Sequence, residues 1–244
     1  MRHAVRAELL KVTTVRGLVV GAALAALAIP LTSLVVAATD GLGVDDTVTS
    51  GAATGSVVGL LAFGAWAATL TAGEYALQTM VVSMAAVPHR LRLYVAKLTA
   101  TAAIAALGAL LSAFVAWLIV LAVTPEDDLG LGNPGALVGL VLAVVAVGVM
   151  AAATGILTRS PTAAITIVVL AVLLPKAAGG LLGGLEPWVV GASPGTVVTQ
   201  IVEGGQLSDS EAFPGGTLAG ALTMVGVAAA VAVAGGVVFA RRDG

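Results

Sequence analysis

The chain has 244 residues, of which 59% are hydrophobic and 10% charged, with a formal net charge of −2 at pH 7 and no cysteine. A soluble domain carries roughly a quarter charged residues, so this chain lacks the polar side chains to cover a water-facing surface, and lipid must be its main solvent. The absence of cysteine excludes a disulfide framework, a thiolate metal site and a cysteine nucleophile.

Residues 2–16 interleave apolar Val5, Leu9, Leu10 and Val12 with charged Arg2, Arg6, Glu8 and Lys11, and end on Arg16. At helical pitch this predicts a short amphipathic helix lying in the membrane interface. Six apolar stretches follow, residues 17–39, 51–71, 98–124, 135–157, 162–182 and 217–240. Each reaches the ~20 residues that cross ~30 Å of hydrocarbon. The first has an apolar run of about 22 residues against the ~7–15 of a secretory signal core, so it reads as a retained span.

The segment between spans two and three, residues 73–97, is longer than a turn between spans requires. Leu77, Met80, Val81, Met84 and Val87 recur at i, i+3/i+4 spacing while Gln78, Thr79 and Ser83 fall elsewhere, which predicts an amphipathic helix broken by Pro88. Arg90, Arg92 and Lys97 then lead into the third span. In the outer half of span five, Gly179/Gly183 and Gly180/Gly184 have the GxxxG spacing that permits close helix packing. Lys176 follows Pro175 there; it either snorkels to the interface or lines a translocation path. Residues 186–216 form a long outer segment, with Trp188 at the interface and a short helix expected from Pro194-Gly195 through Val202.

The charges orient the chain. If it alternates through six spans, Arg2, Arg6, Lys11, Arg16, Arg90, Arg92, Lys97, Arg159, Arg241 and Arg242 fall on one side, and Lys176 is the exception among the eleven basic residues. The opposite loops carry Asp40, Asp45, Asp46, Glu126, Asp127, Asp128, Glu186, Glu203, Asp209 and Glu211. Lysine and arginine excess marks the cytoplasmic face, so both termini are expected there. The expected fold is an all-α polytopic membrane protein in a single domain spanning residues 1–244.

Several chemistries lack their residues. The two histidines, His3 and His89, sit in basic segments outside the spans, so a Ser–His hydrolase or histidine metal site has none at depth. No GxxxxGK[ST] phosphate loop is present. No Asp or Glu falls inside a span, Glu74 lying at the end of the second, whereas ion-coupled transporters use intramembrane carboxylates as relays. A passive channel, a scaffold, or a membrane half driven from the cytoplasm remains.

The segment Glu8-Leu9-Leu10-Lys11-Val12-Thr13-Thr14-Val15-Arg16 resembles the E-x-x-K-x-x-T-x-R that precedes the first span of ABC transporter type-2 permeases. Gly73-Glu74-Tyr75, Thr79-Met80, Val87-Pro88-His89-Arg90 and Ala96-Lys97-Leu98 are similar to that family's loop between spans two and three, and Phe239-Ala240-Arg241-Arg242-Asp243 to its R-R-D exit. Ala76-Leu77-Gln78 replaces the family's polar and glycine residues before Thr79.

The resemblance implies an elbow helix at 2–16 that includes Arg6, Glu8, Lys11 and Arg16. It implies a cytoplasmic coupling helix in 73–97 that docks on a separate ATPase subunit through Glu74, Tyr75, Gln78, Thr79, Met80, Pro88, Arg90, Arg92 and Lys97. ATP and Mg would be bound by that subunit and by nothing in this chain. A second permease chain, as a homodimer, would complete the transporter in a bacterial cytoplasmic membrane, with no nucleic-acid partner. Such an assembly would export an amphipathic or hydrophobic substrate (antibiotic, peptide or lipid) along a path lined by residues such as Met150, Trp66, Trp117 and Phe114. The alternatives are a passive channel or secondary transporter, or a membrane scaffold. Lys176 and Trp188 are the candidate path or outer-interface residues.

Overall fold

A chain crossing hydrocarbon must pair its backbone polar groups within the protein, and a helix does so within a single segment. A computed structural model, which describes residues 1–43, 46–87, 89–124, 130–203 and 211–241, is built of helices. Among the described residues the one β contact is an isolated bridge between Thr47 and Gly130. Pro88, Arg242, Asp243 and the loop acids Asp45, Glu126, Asp127, Asp128 and Asp209 lie outside them.

The N-terminal helix α1 (Arg2–Thr14) is set off by extended Val15 from α2 (Arg16–Ala38). The chain returns through α3 (Val48–Ala53) and α4 (Ser56–Ala76), turns through α5 (Met80–Ala86), and leaves along α6 (Arg90–Val123). It comes back along α7 (Leu137–Thr158), led in by a 3-10 turn at Pro134–Ala136, and departs again in α8 (Pro161–Ala177). Two short helices, α9 (Glu186–Val190) and α10 (Pro194–Val202), precede the last long one, α11 (Gly216–Arg241). Helix α10 matches the short helix expected at Pro194–Val202.

Five segments are long and apolar enough to cross a membrane: Arg16–Ala38, Val48–Ala76, Arg90–Val123, Pro134–Thr158 and Gly216–Arg241. The stretch 162–182 departs from expectation. Its helix stops at Ala177, and 3-10 turns at Gly179–Leu181 and Gly183–Leu185 follow. Pro175 and the paired glycines weaken helical continuation there. The second stretch is also not continuous: the helix steps between Ala53 and Ser56, where Gly55 lies against the backbone of Ile29.

Helix α7 is the most buried of the five segments and packs against α4, α6, α8, α10 and α11, while α2 and α11 are the least buried. Lipid tails are as apolar as leucine, so helices associate in membranes chiefly through close van der Waals packing of small residues. Ala105, Ala109, Ala113 and Ala116 form a fully buried stripe along α6. A Cβ added at Gly55 would stand 2.7 Å from the Ile29 carbonyl oxygen, so only glycine allows α2 and α4 to meet there. Of the expected GxxxG glycines in span five, only Gly179 makes a close approach, to Glu186 and Val190 of α9. Cβ atoms at Gly180, Gly183 and Gly184 would meet nothing within 4 Å.

Candidate functional site: a charged hub at one end of the bundle

Three sequence-distant segments converge beside α5. Glu8 of α1, Glu74 near the end of α4 and Lys97 of α6 are all buried, and Lys11 of α1 is partly so. Lys97 Nζ donates to Glu8 Oε1 at 2.8 Å and also to Glu74 Oε1, which accepts from Lys11 as well. The other carboxylate oxygen of Glu74 accepts from Ser83 Oγ of α5 at 3.2 Å. Two carboxylates and two ammonium groups make the cluster formally neutral. Such a buried set is tolerated because each charge finds opposite charge and hydrogen bonds that offset its desolvation.

The local structure explains how Glu74 reaches α5. Helix α4 ends in a Schellman motif with Gln78 in the left-handed region at φ 56°. The Thr79 N–H donates to the Glu74 carbonyl at 2.9 Å and the Gln78 N–H to the Tyr75 carbonyl at 3.2 Å. The chain reverses within three residues and lays α5 back across the end of α4. Met80 is buried against the cluster formed by Leu93, Tyr94, Ile156 and Phe239, and partly buried Tyr75, Met84 and Val87 pack around it. The expected apolar stripe is therefore split. Met80, Met84 and Val87 pack inward, while Leu77, Val81 and Val82 are 76%, 67% and 70% exposed. The single amphipathic helix expected to begin near Glu74 is interrupted, because the left-handed Gln78 rotates everything after it.

Other expected residues fall into place around this hub. The Arg159 guanidinium, on a left-handed residue ending α7, stands 5.4 Å from the Tyr75 ring centre, within cation–π range. Arg90 begins α6, and Arg92 two residues on is exposed, as are Arg6 and Arg16. Glu8 was expected on the charged outer face of the first helix and is instead buried with Val12, because its partner Lys97 arrives from α6. Sequence reading missed this convergence, although a signal existed. Apart from Asp243, Glu8 and Glu74 are the carboxylates of the basic segments, and isolated acids among bases are candidates for buried pairing.

The opposite end holds Lys176 and Trp188. Lys176, in the last turn of α8, is well exposed and pairs with Glu211 at 3.3 Å. Trp188 is half exposed and meets Phe213 edge-on, with ring centres 5.3 Å apart. Burial chiefly, with Asp46 and Glu211 adding and Lys176 opposing, lifts the Glu203 carboxyl above its ordinary value. The four residues expected along one path do not share a surface. Trp66 is buried and donates to the Leu18 carbonyl at 3.1 Å, Trp117 is half-buried, and Phe114 points outward, 57% exposed. Met150 lines a cavity near Trp188. Among the described residues no group of three or more His, Asp or Glu could hold a metal ion. Comparison with known protein families and with curated proteins finds no match to the chain.

Proposed function

We propose that the chain is the membrane-spanning permease subunit of an ABC transporter, exporting an amphipathic or hydrophobic substrate with a separate ATPase subunit. The observation that carries this reading is the hub. A single carboxylate, Glu74, links α5 through Ser83, α1 through Lys11 and α6 through Lys97. A soluble subunit pressing on α5 would therefore move the ends of α4 and α6 and the N-terminal helix as one body, the mechanical requirement for driving a rigid-body change from outside the membrane. Leu77, Val81 and Val82, exposed beside this linkage, are the contact surface in this reading.

In the same reading α1 is the elbow helix, α5 the coupling helix, and the hub end faces the cytoplasm, which the lysine and arginine excess supports. Helix α8 has 17 residues, about 26 Å at 1.5 Å per residue, and the 3-10 turns to Leu185 complete the sixth crossing. ATP and Mg are bound by the partner, and two permease chains form the path.

The test is purification of the C-terminally tagged protein from its host membrane in mild detergent. A stoichiometric soluble subunit that binds and hydrolyses ATP in the complex is the expected result. A lone oligomer without ATPase activity, under conditions that keep other membrane complexes intact, would overturn the reading in favour of a channel or scaffold.

A further inference from the structure

At the end of the bundle away from the hub, α7, α8, α9 and α11 line a half-open cavity of about 310 Å³. Its walls include Met150 and Met224, whose flexible thioethers adapt to irregular shapes, together with Pro175, Trp188 and Val227. Ser193 and Thr223 also line it, but both hydroxyls are committed internally, to Thr196 Oγ1 at 3.0 Å and to the Ala219 carbonyl at 2.8 Å. A mostly apolar cavity of this size, with few polar groups, has the form of a small-molecule site, for which ~300–1,000 Å³ is usual.

Two further observations give the ligand a charge. Pro175 has no N–H to offer the Ala171 carbonyl four residues earlier, and both residues stand in the wall, so a backbone dipole there lacks its helical donor. A second cavity, of about 330 Å³, adjoins the first across Ser193 and is lined by the ion pair Lys176 and Glu211. Among the described residues this end of the bundle carries Asp40, Asp46, Glu186, Glu203 and Glu211 against Lys176 alone. Carboxylates concentrated beside low-dielectric walls raise the local concentration of cations by ~10-fold or more.

We propose that the Trp188-walled cavity binds the apolar body of a lipophilic cation, whose charge rests between the Ala171 carbonyl and the Glu211 side of the neighbouring cavity. Trp188, half exposed, stands in the wall, and an indole is the aromatic group that attracts a nearby cation best. The wall residues named all come from this chain, so binding is read without an ATPase partner and stands or falls separately from the transporter reading.

The probes are tetraphenylphosphonium and tetraphenylborate, closely matched in shape and opposite in charge. Each is equilibrated with the full-length protein in zwitterionic nanodiscs, and uptake by empty nanodiscs is subtracted. The cation is expected to bind saturably, one per chain, at least about tenfold tighter than the anion. Val227→Trp, which fills the cavity from an exposed position, is expected to abolish binding, as is Thr223→Trp; chromatography and circular dichroism establish that each variant is folded. Lys176→Met should tighten cation binding severalfold and Glu211→Gln should weaken it. Non-saturable uptake, anion binding as tight as cation binding, or unchanged affinity in a folded cavity-filling variant would each overturn the proposal.

Discussion

Glu74 accepts hydrogen bonds from lysines on two different helices and from Ser83 on a third. In a neutral buried set of this kind each charge is tolerable only while its partners remain. Lys97, 2% exposed, serves both carboxylates. Replacing it by methionine, of similar length, takes from Glu8 its Lys97 partner and leaves Glu74 with Lys11, and breaking a buried pair in this way costs about 3–5 kcal/mol. Lys97→Met is therefore expected to lower the thermal unfolding midpoint sharply in nanodiscs. Arg92→Ala, five residues earlier and exposed, should stay within about 0.5 kcal/mol of the parent. Equal effects at the two positions would refute the hub as a structural centre. At this scale the sequence was only partly legible. Glu74 and Lys97 drew attention through a family-like spacing, whereas nothing local to α1 turns Glu8 inward. That orientation comes from α6, distant in the chain, and pattern reading along one helix does not see it.

Among the elements, α2 and α6 show how a membrane helix accommodates an internal proline. Pro30 cannot donate to the Ala26 carbonyl, and Ser112 of α6 does so instead at 2.6 Å. The same hydroxyl lies 2.7 Å from the Gly108 carbonyl of its own helix, so it sits between two acceptors. Interhelical hydrogen bonds in membranes are worth about 0.6 kcal/mol on average and up to about 1.7. Ser112→Ala should cost an amount in that range in the parent and markedly less when Pro30→Ala restores the helical N–H. A double-mutant cycle of unfolding midpoints checks this, and additive effects would mean that Ser112 does not compensate for Pro30. The long helices were readable from apolar length alone, because crossing hydrocarbon constrains length strongly. The ends of α2, α7, α10 and α11 also fall within two residues of expectation, whereas both ends of α4 and the C-terminal end of α8 do not. Gln78 adopts a left-handed conformation that glycine more often fills, and it breaks what periodicity suggested was one helix. Span five ends early because a proline and four nearby glycines act together. The spacing of those glycines resembled a packing motif, but the surroundings of Gly180, Gly183 and Gly184 are open and Gly179 alone is closely packed, against Glu186 and Val190.

The whole molecule is polarised. One end carries basic segments, a buried ionic hub and a short helix with exposed apolar side chains. The other carries carboxylates and an apolar cavity walled by an indole. Composition and charge order made this polarity legible, since hydropathy and the distribution of lysine and arginine act over the full chain length. The tertiary meeting of α1, α4 and α6 was not legible, because it depends on how the helices pack. The central claim is that the hub end receives a soluble ATP-hydrolysing subunit. Its most direct test is a photo-crosslinking residue at Val81 or Val82 of α5, introduced into the full-length protein in its host, with Leu218 at the start of α11 as the control at the other end. The account predicts that α5 captures one soluble subunit that binds ATP, and that Leu218 does not. Capture of lipid alone at all three positions, or the same protein partners at both ends, would contradict it.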